Sequence, residues 1–221
     1  MTVDQALKNE LTIEPHTVST GDLTVLPEMQ MRDNMNREVI NQYADMINEL
    51  PPVDVFEVGC PKTGKVRWYL TDGFHRYFAH EEAGWKSINV LLHRNRTYDE
   101  AFTFAMTSNY KNGQQPTKGD RKRAVEMLCE HFEDEFKLDA RKVVPMLKDK
   151  GVPKRTAEYY TKELREKIEY KRDQEIARLL DEGMSQRKIS EQVGCAKGTV
   201  QSIQKAITAS GQNAQLAQNV H

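Results

Sequence analysis

Asp72-Gly73-Phe74-His75-Arg76 gathers more reactive side-chain types than any other short stretch of this 221-residue chain. It follows the run Val66 to Leu70 and precedes a segment with helical spacing, so glycine stands at a strand–helix junction. The first N–H groups of a helix have no partner within it, and together with the helix dipole they make a seat for an anion. Arg76 adds a planar fork of donors suited to phosphate, and His75 can give or take a proton near neutral pH. A plainer role fits the same residues: Asp72 caps the helix while Arg76 pairs with a surface carboxylate such as Glu81 or Glu82. Both readings stay open on these residues alone. Were the turn catalytic, Asp72 and His75 would be the acid–base candidates, with Glu28 and Asp33 as further carboxylates. No pair of carboxylates is spaced as an evident Mg²⁺ clamp, on which phosphoryl transfer depends, and no metal ligands are assigned.

The second concentration of chemistry lies near the C-terminus. Ile176, Leu179 and Leu180 line one helix face, which Gly183 ends. Ser185 stands at the N-cap of a second helix carrying the i,i+4 pair Ile189 and Val193, and Gly194 supplies a sharp turn. A third helix is expected from Ala196 to Ile207, burying Val200, Ile203 and Ile207. Three short helices so spaced form a helix-turn-helix, whose last helix enters the major groove of DNA. Lys197, Thr199, Gln201 and Ser202 would face base edges, while Arg187 and Lys188 would lie against phosphates. The alternative is a helical bundle that docks on protein. Ala196 stands where such motifs often carry a capping serine, which weakens the match.

Simple elements must position these residues. Glu38 to Leu50 has helical spacing and stops at Pro51-Pro52. Val53 to Val58 alternates as a half-buried strand, Pro61 to Lys65 turns the chain, and Val66 to Leu70 returns as its hairpin partner. A helix from Arg76 to Ala83 ends at Gly84, and Ser87 to Leu92 reads as a further strand. From Asp99 the pattern is helical. Thr117 or Asp120 can cap a helix with Ala124, Val125, Leu128 and Phe132 on its apolar face. Leu138 to Leu147, a Gly151 turn and the basic segment from Lys154 to Tyr160 repeat the helix-turn-helix order more faintly, with Pro145 awkward inside the first helix.

Charge separates the halves. Residues 1–100 hold 10 Lys/Arg and 16 Asp/Glu, whereas residues 101–221 hold 22 and 17. A polyanion partner is therefore expected at the rear only. No run approaches the ~20 apolar residues of a membrane span, and the N-terminus lacks the basic and apolar regions of a signal peptide. Cys60, Cys129 and Cys195 are too few and too scattered for a disulfide framework or a zinc site, which points to a reducing cytoplasm.

Three segments in order resemble the ParB/sulfiredoxin-like superfamily, in particular the ParB-like partition proteins. Leu26-Pro27-Glu28-Met29-Gln30-Met31-Arg32 is similar to the early Gln-x-Arg stretch. Thr71 to Arg76, with Ala79 and Gly84, resembles the phosphate-binding turn, and Ser108 to Thr117 with Asp120 to Val125 resembles the Asn-containing helix end before the family's DNA-binding helices. The resemblance implies an α+β fold: a small mixed-sheet domain over 21–97 after a flexible arm, 1–20. A helical middle region, 98–168, a C-terminal helix-turn-helix, 169–209, and a flexible tail, 210–221, would follow. It also implies that Gln30, Arg32, Gly73, His75, Arg76 and Asn109 hold a nucleoside triphosphate, CTP or ATP, with Mg²⁺. The expected protein is a sequence-specific, nucleotide-responsive DNA binder, a regulator or partition factor, acting as a homodimer on double-stranded DNA. The alternative is a nucleotide-dependent enzyme on the same domain, a phosphoryl transferase, NTPase or nuclease. Two departures matter: Phe74-His75 replace the Glu-Arg of the CTP-binding turn, and Ser108 replaces the family's Glu before Asn109. With no cysteine at the turn, the reductase chemistry of sulfiredoxin is not expected.

Overall fold

Alternating apolar side chains build the centre of the first unit. In the computed structural model, which describes residues 13–32, 35–60, 63–110 and 116–218, the chain divides into two compact units between Leu128 and Cys129. The first contains β1 (Ile13–Ser19), β2 (Leu23–Thr24), α1 (Arg37–Asp45), β3 (Val53–Gly59), β4 (Val66–Asp72), α2 (Phe74–Glu82), β5 (Ser87–Arg96) and α3 (Tyr98–Thr107). The strands form one mixed sheet in the order β1-β5-β3-β4-β2. The β3–β4 hairpin is antiparallel, β3 runs parallel to β5, and β2 runs parallel to β4. Val53, Val55, Leu70, Val90 and Leu92 are buried in the sheet. Ile40 of α1 and Ala79 of α2 share a small cluster with Ile47.

The expected hairpin and the Gly84 stop are present, with Gly84 at φ 73°. Pro61 and Lys62 of the expected turn lie outside the described residues. Two strands escape sequence reading, β1 and the two-residue β2. Residues 13–19, expected as part of a flexible arm, pair with β5 along their whole length. Their side chains alternate only between exposed and half-buried, so this edge strand leaves no apolar period; it is held by its backbone ladder and by polar bonds from Glu14, His16 and Thr17 to Arg94 and Asn89 of β5. Residues 1–12 of that arm lie outside the described residues. The helix expected to begin at Arg76 begins at Phe74, because Phe74 and Tyr77 are both buried.

Helix α3 belongs to the sheet domain: its Phe104 packs on Phe56 of β3, with ring centroids 5.0 Å apart. Both Thr117 and Asp120 cap α4 (Lys118–His131), each side chain accepting a bond from the other's backbone N–H. The second unit begins within α4, at Cys129, and contains α5 (Glu133–Phe136), α6 (Val143–Asp149), α7 (Lys154–Tyr160), α8 (Lys162–Asp181), α9 (Gln186–Val193) and α10 (Lys197–Gln218). Pro145 causes no kink. The helix expected from Leu138 starts at Val143 after a 3-10 turn, which leaves Pro145 in the first turn, where a missing N–H costs nothing.

Ile176 and Leu179 of α8, Ile189 and Val193 of α9 and Val200 of α10 form one buried cluster, with Ile203 and Cys195 against it. Ile207 was expected in that core, but it is 46% exposed. It lies two turns beyond Val200, where α10 has outrun its partner helices. The backbone is helical as far as Gln218 through most of the expected tail, and residues 219–221 lie outside the described residues.

Candidate functional site

β4 delivers Thr71 and Asp72 to the start of α2, with Gly73 between as the N-cap. Gly73 has φ 89° and ψ 27°, the left-handed region. A Cβ there would lie 2.6 Å from Cγ1 and 2.9 Å from Cβ of the buried Val53, and 3.0 Å from Cζ of Arg76. Only glycine fits, on two independent grounds. The turn is also tied to the start of β3. The Thr71 hydroxyl donates to the Asp54 carbonyl at 3.1 Å, and Nη1 of Arg76 donates to the carbonyls of Pro51, at 3.1 Å, and Pro52.

Asp72 is the hub. One carboxylate oxygen accepts from Nη2 of Arg76 at 3.0 Å, and the other accepts from Nδ2 of Asn109 at 3.2 Å. Asp72 therefore does not cap α2, and Arg76 does not pair with Glu81 or Glu82; Glu82 pairs instead with Arg37, at 3.3 Å. The i,i+4 spacing across the helix start decides this, because it sets Asp72 beside Arg76. Asn109 reaches the hub from a 3-10 turn, Ser108–Tyr110, at the end of α3.

The half-buried His75 accepts a bond at Nε2 from the Asn36 N–H, at 3.2 Å. Asn36 in turn caps α1, its side chain accepting from Glu38 and Val39. Burial, reinforced by the charge of Arg32 and opposed by Asp72, pushes the His75 pKa below its ordinary value. His75 is thus a neutral acceptor built into the joint between α1 and α2. Gln30 and Arg32 are placed by their neighbours, since Met29 and Met31 are buried and the residues between and after them turn outward. The Gln30 carboxamide serves locally, accepting from the Arg32 N–H at 3.1 Å. The structure therefore brings Asp72, Gly73, His75, Arg76 and Asn109 together, with Arg32 near His75. Asp33 lies outside the described residues.

Sequence reasoning missed one pair. His93 on β5 bonds the Asp54 carboxylate at 2.7 Å and stacks on Phe56 with centroids 4.4 Å apart. Asp54 is the cross-strand partner of Asp72, so this pair of a buried histidine and a half-buried carboxylate underlies the hub. Nothing local announces it, because the two residues are 39 positions apart.

The turn fits an anion better than it fits a metal. Both Asp72 oxygens already hold cationic or amide donors, Ser108 offers no carboxylate, and among the described residues no group of three or more His, Cys, Asp or Glu could hold a metal ion. An incoming phosphate would have to draw Arg76 away from Asp72.

In the second unit Ser185 caps α9 as expected, its Oγ accepting from the Lys188 N–H at 3.5 Å, and Gly194 ends that helix at φ 71°. Lys188, Lys197, Gln201 and Ser202 are exposed, while Thr199 is half-buried. Three of the expected contacts carry internal partners. Arg187 pairs with Glu191 at 3.0 Å, and the Ser202 hydroxyl donates to the Gly198 carbonyl at 2.9 Å. Gln201 is held as well, since its Nε2 donates to Gln186 of α9 at 3.4 Å.

No family model and no curated protein matches the chain. Solved structures do. A pNOB8-like ParB N-domain superposes with a TM-score of 0.51 at 16% identity, over 69% of this chain and 70% of that one. Chromosome-partitioning protein ParB from Caulobacter crescentus, C-terminally truncated and complexed with CTP-γ-S, covers 86% of this chain and 98% of its own at 16% identity, with a TM-score of 0.37. Sulfiredoxin from Arabidopsis thaliana is 25% identical over 37% of this chain and 86% of that one, with a TM-score of 0.30. The last two superpose too loosely to carry weight. The first shows the fold: the chain is built like that ParB N-domain, a mixed α/β sheet domain followed by an all-helical region. No helix among the described residues is long and apolar enough to cross a membrane.

Proposed function

We propose that the chain is a sequence-specific DNA-binding protein of ParB type, in which α9 and α10 read a duplex and the Gly73 turn takes a phosphate-bearing ligand. The observation that carries the DNA half is the division of α10. Val200 and Ile203 anchor one face to α8 and α9, while Lys197 and Gln201 stand exposed, one turn apart, on another. A helix so anchored presents a fixed row of donors and acceptors to a groove. Lys188, exposed on α9, supplies positive charge for the phosphates. A homodimer on a palindromic site follows from the usual symmetry of such readers.

Selection of duplexes from a random pool tests this. One preferred sequence is expected, with affinity falling steeply as salt rises. Lys197→Ala together with Gln201→Ala should abolish the preference. An unchanged affinity for every duplex after both replacements overturns the proposal.

The nucleotide half rests on the left-handed Gly73, the helix start beside it and Arg76. Asp72 competes with any phosphate for Arg76, so triphosphate binding in a CTP, ATP, GTP and UTP panel should strengthen in Asp72→Asn. Calorimetry with and without duplex reads this directly. Failure of all four nucleotides to bind either protein removes the nucleotide and leaves a plain DNA reader. Against the enzyme reading, the Asp72 and His75 acceptor atoms are already committed to structural bonds.

A further inference from the structure

Gln186, the first residue of α9, is half-buried and bonds two side chains of the neighbouring helix. Its Oε1 accepts from Nε2 of Gln201 at 3.4 Å, and its own Nε2 donates to Oε1 of Gln204 at 2.5 Å. The three carboxamides form a chain with one direction, from Gln201 through Gln186 to Gln204. We infer that Gln186 is a positioning residue that holds the Gln201 carboxamide in the one orientation that reads adenine.

This inference rests on the DNA-reading role proposed above and adds the base. A free glutamine amide can rotate by half a turn and exchange its donor and acceptor, and it loses side-chain freedom when it binds. Gln201 cannot exchange them here without setting its own oxygen against that of Gln186. Gln186 can turn to compensate only if Gln204 exchanges its donor and acceptor as well, so Gln201 reverses only when all three amides do. With one N–H given to Gln186, Gln201 keeps an oxygen and a second N–H side by side. That edge matches the N6 donor and N7 acceptor of adenine in the major groove. Guanine offers two acceptors there, and thymine and cytosine offer no such pair. Lys197 lies one turn before Gln201 on the same exposed strip, where a cation suits a neighbouring guanine or phosphate.

The test uses the full chain and the duplex it selects from a random pool, with each base pair of that duplex then exchanged in turn. Gln201→Ala should erase adenine preference at one position, a loss of roughly 5- to 150-fold in discrimination. Gln186→Ala should weaken discrimination at that same position severalfold, leaving preference elsewhere and the salt dependence unchanged. Gln186→Glu keeps the acceptor for Gln201 and should restore part of the preference at that position, even though its charge lowers affinity for all duplexes alike. The inference is overturned if Gln186→Ala reduces every affinity evenly, which marks a phosphate contact, or if the position lost in Gln201→Ala prefers guanine. A wild-type chain that selects no sequence removes the DNA-reading role itself, and the inference with it. Gln186→Ala should melt at the wild-type temperature, since the side chain lies outside the apolar cluster; a lowered melting temperature would make its role structural instead.

Discussion

Gly73 and Gly194 both precede a helix, and both adopt left-handed backbone. Their surroundings differ. A Cβ on Gly73 would strike Val53 and Arg76, whereas nothing lies within 4 Å of the corresponding point on Gly194. The first glycine is required by packing as well as by conformation, and the second by conformation alone. The Gly73 turn lies against the buried Val53 of β3, so it tolerates no added atom. A helix-turn-helix needs only the change of direction, and its precision comes from the apolar cluster behind it.

The largest effect should come from Gly73→Ala. Left-handed backbone costs an L-residue about 1–2 kcal/mol, and overpacking against Val53 adds about 1–3 kcal/mol. Trp68 and Trp85 both lie in the first unit, so denaturation followed by tryptophan fluorescence reports on that unit. Adding Val53→Ala to Gly73→Ala should recover the packing part and leave the conformational part. The two costs adding without coupling would contradict the close approach.

Asp72→Ala comes next. It strips the hub from Arg76 and Asn109, whose donors then face an interior with 17% of the Arg76 side chain exposed. A loss of about 1–3 kcal/mol is expected by the same fluorescence assay, short of the figure for a fully buried pair. Gly194→Ala should cost only the conformational ~1–2 kcal/mol, and Gly194→Asn less, since asparagine tolerates left-handed backbone. Helical circular dichroism on melting measures both. A penalty as large as that of Gly73→Ala would erase the contrast between the two turns.

The smallest effect is a pH dependence. The folded pKa of His75 lies below its unfolded value, so the unfolded chain takes up the proton first as pH falls. The stability contributed by neutral His75 is complete above the unfolded pKa of about 6.5 and is lost as pH falls toward the folded value. Protonation at Nε2 would also break the bond from Asn36. Replacing His75 by Gln, which keeps an acceptor, should flatten the stability slope just below pH 6.5. An unaltered slope would show that His75 does not titrate with folding.

Legibility followed the range of the contacts. The hairpin, the Gly84 stop, the Ser185 cap and the Gly194 turn rest on neighbours within a few residues, and each was readable as residue type plus spacing. The helix-turn-helix core was readable for the same reason, apart from Ile207, where periodicity continued after the partner helices had ended. β1 was invisible because it is held by bonds to β5, 72 positions away where Thr17 pairs with Asn89, and no local apolar pattern records contacts of that range. For the candidate site, the residue types were legible and their partners were not. Asp72 could as well have capped a helix.

Sequence by itself determined which side chains were available, where the chain must turn, and which helix faces had to be buried, because rotamer, propensity and hydrophobic period are local properties. Tertiary structure alone decided that Asp72 joins Arg76 to Asn109, that His93 underlies the hub, that Gly73 has no room for a methyl group, and that Gln186 restrains Gln201. Each of these depends on atoms brought within a few ångströms by sheet register or helix packing, and short distances of that kind are set by the whole fold.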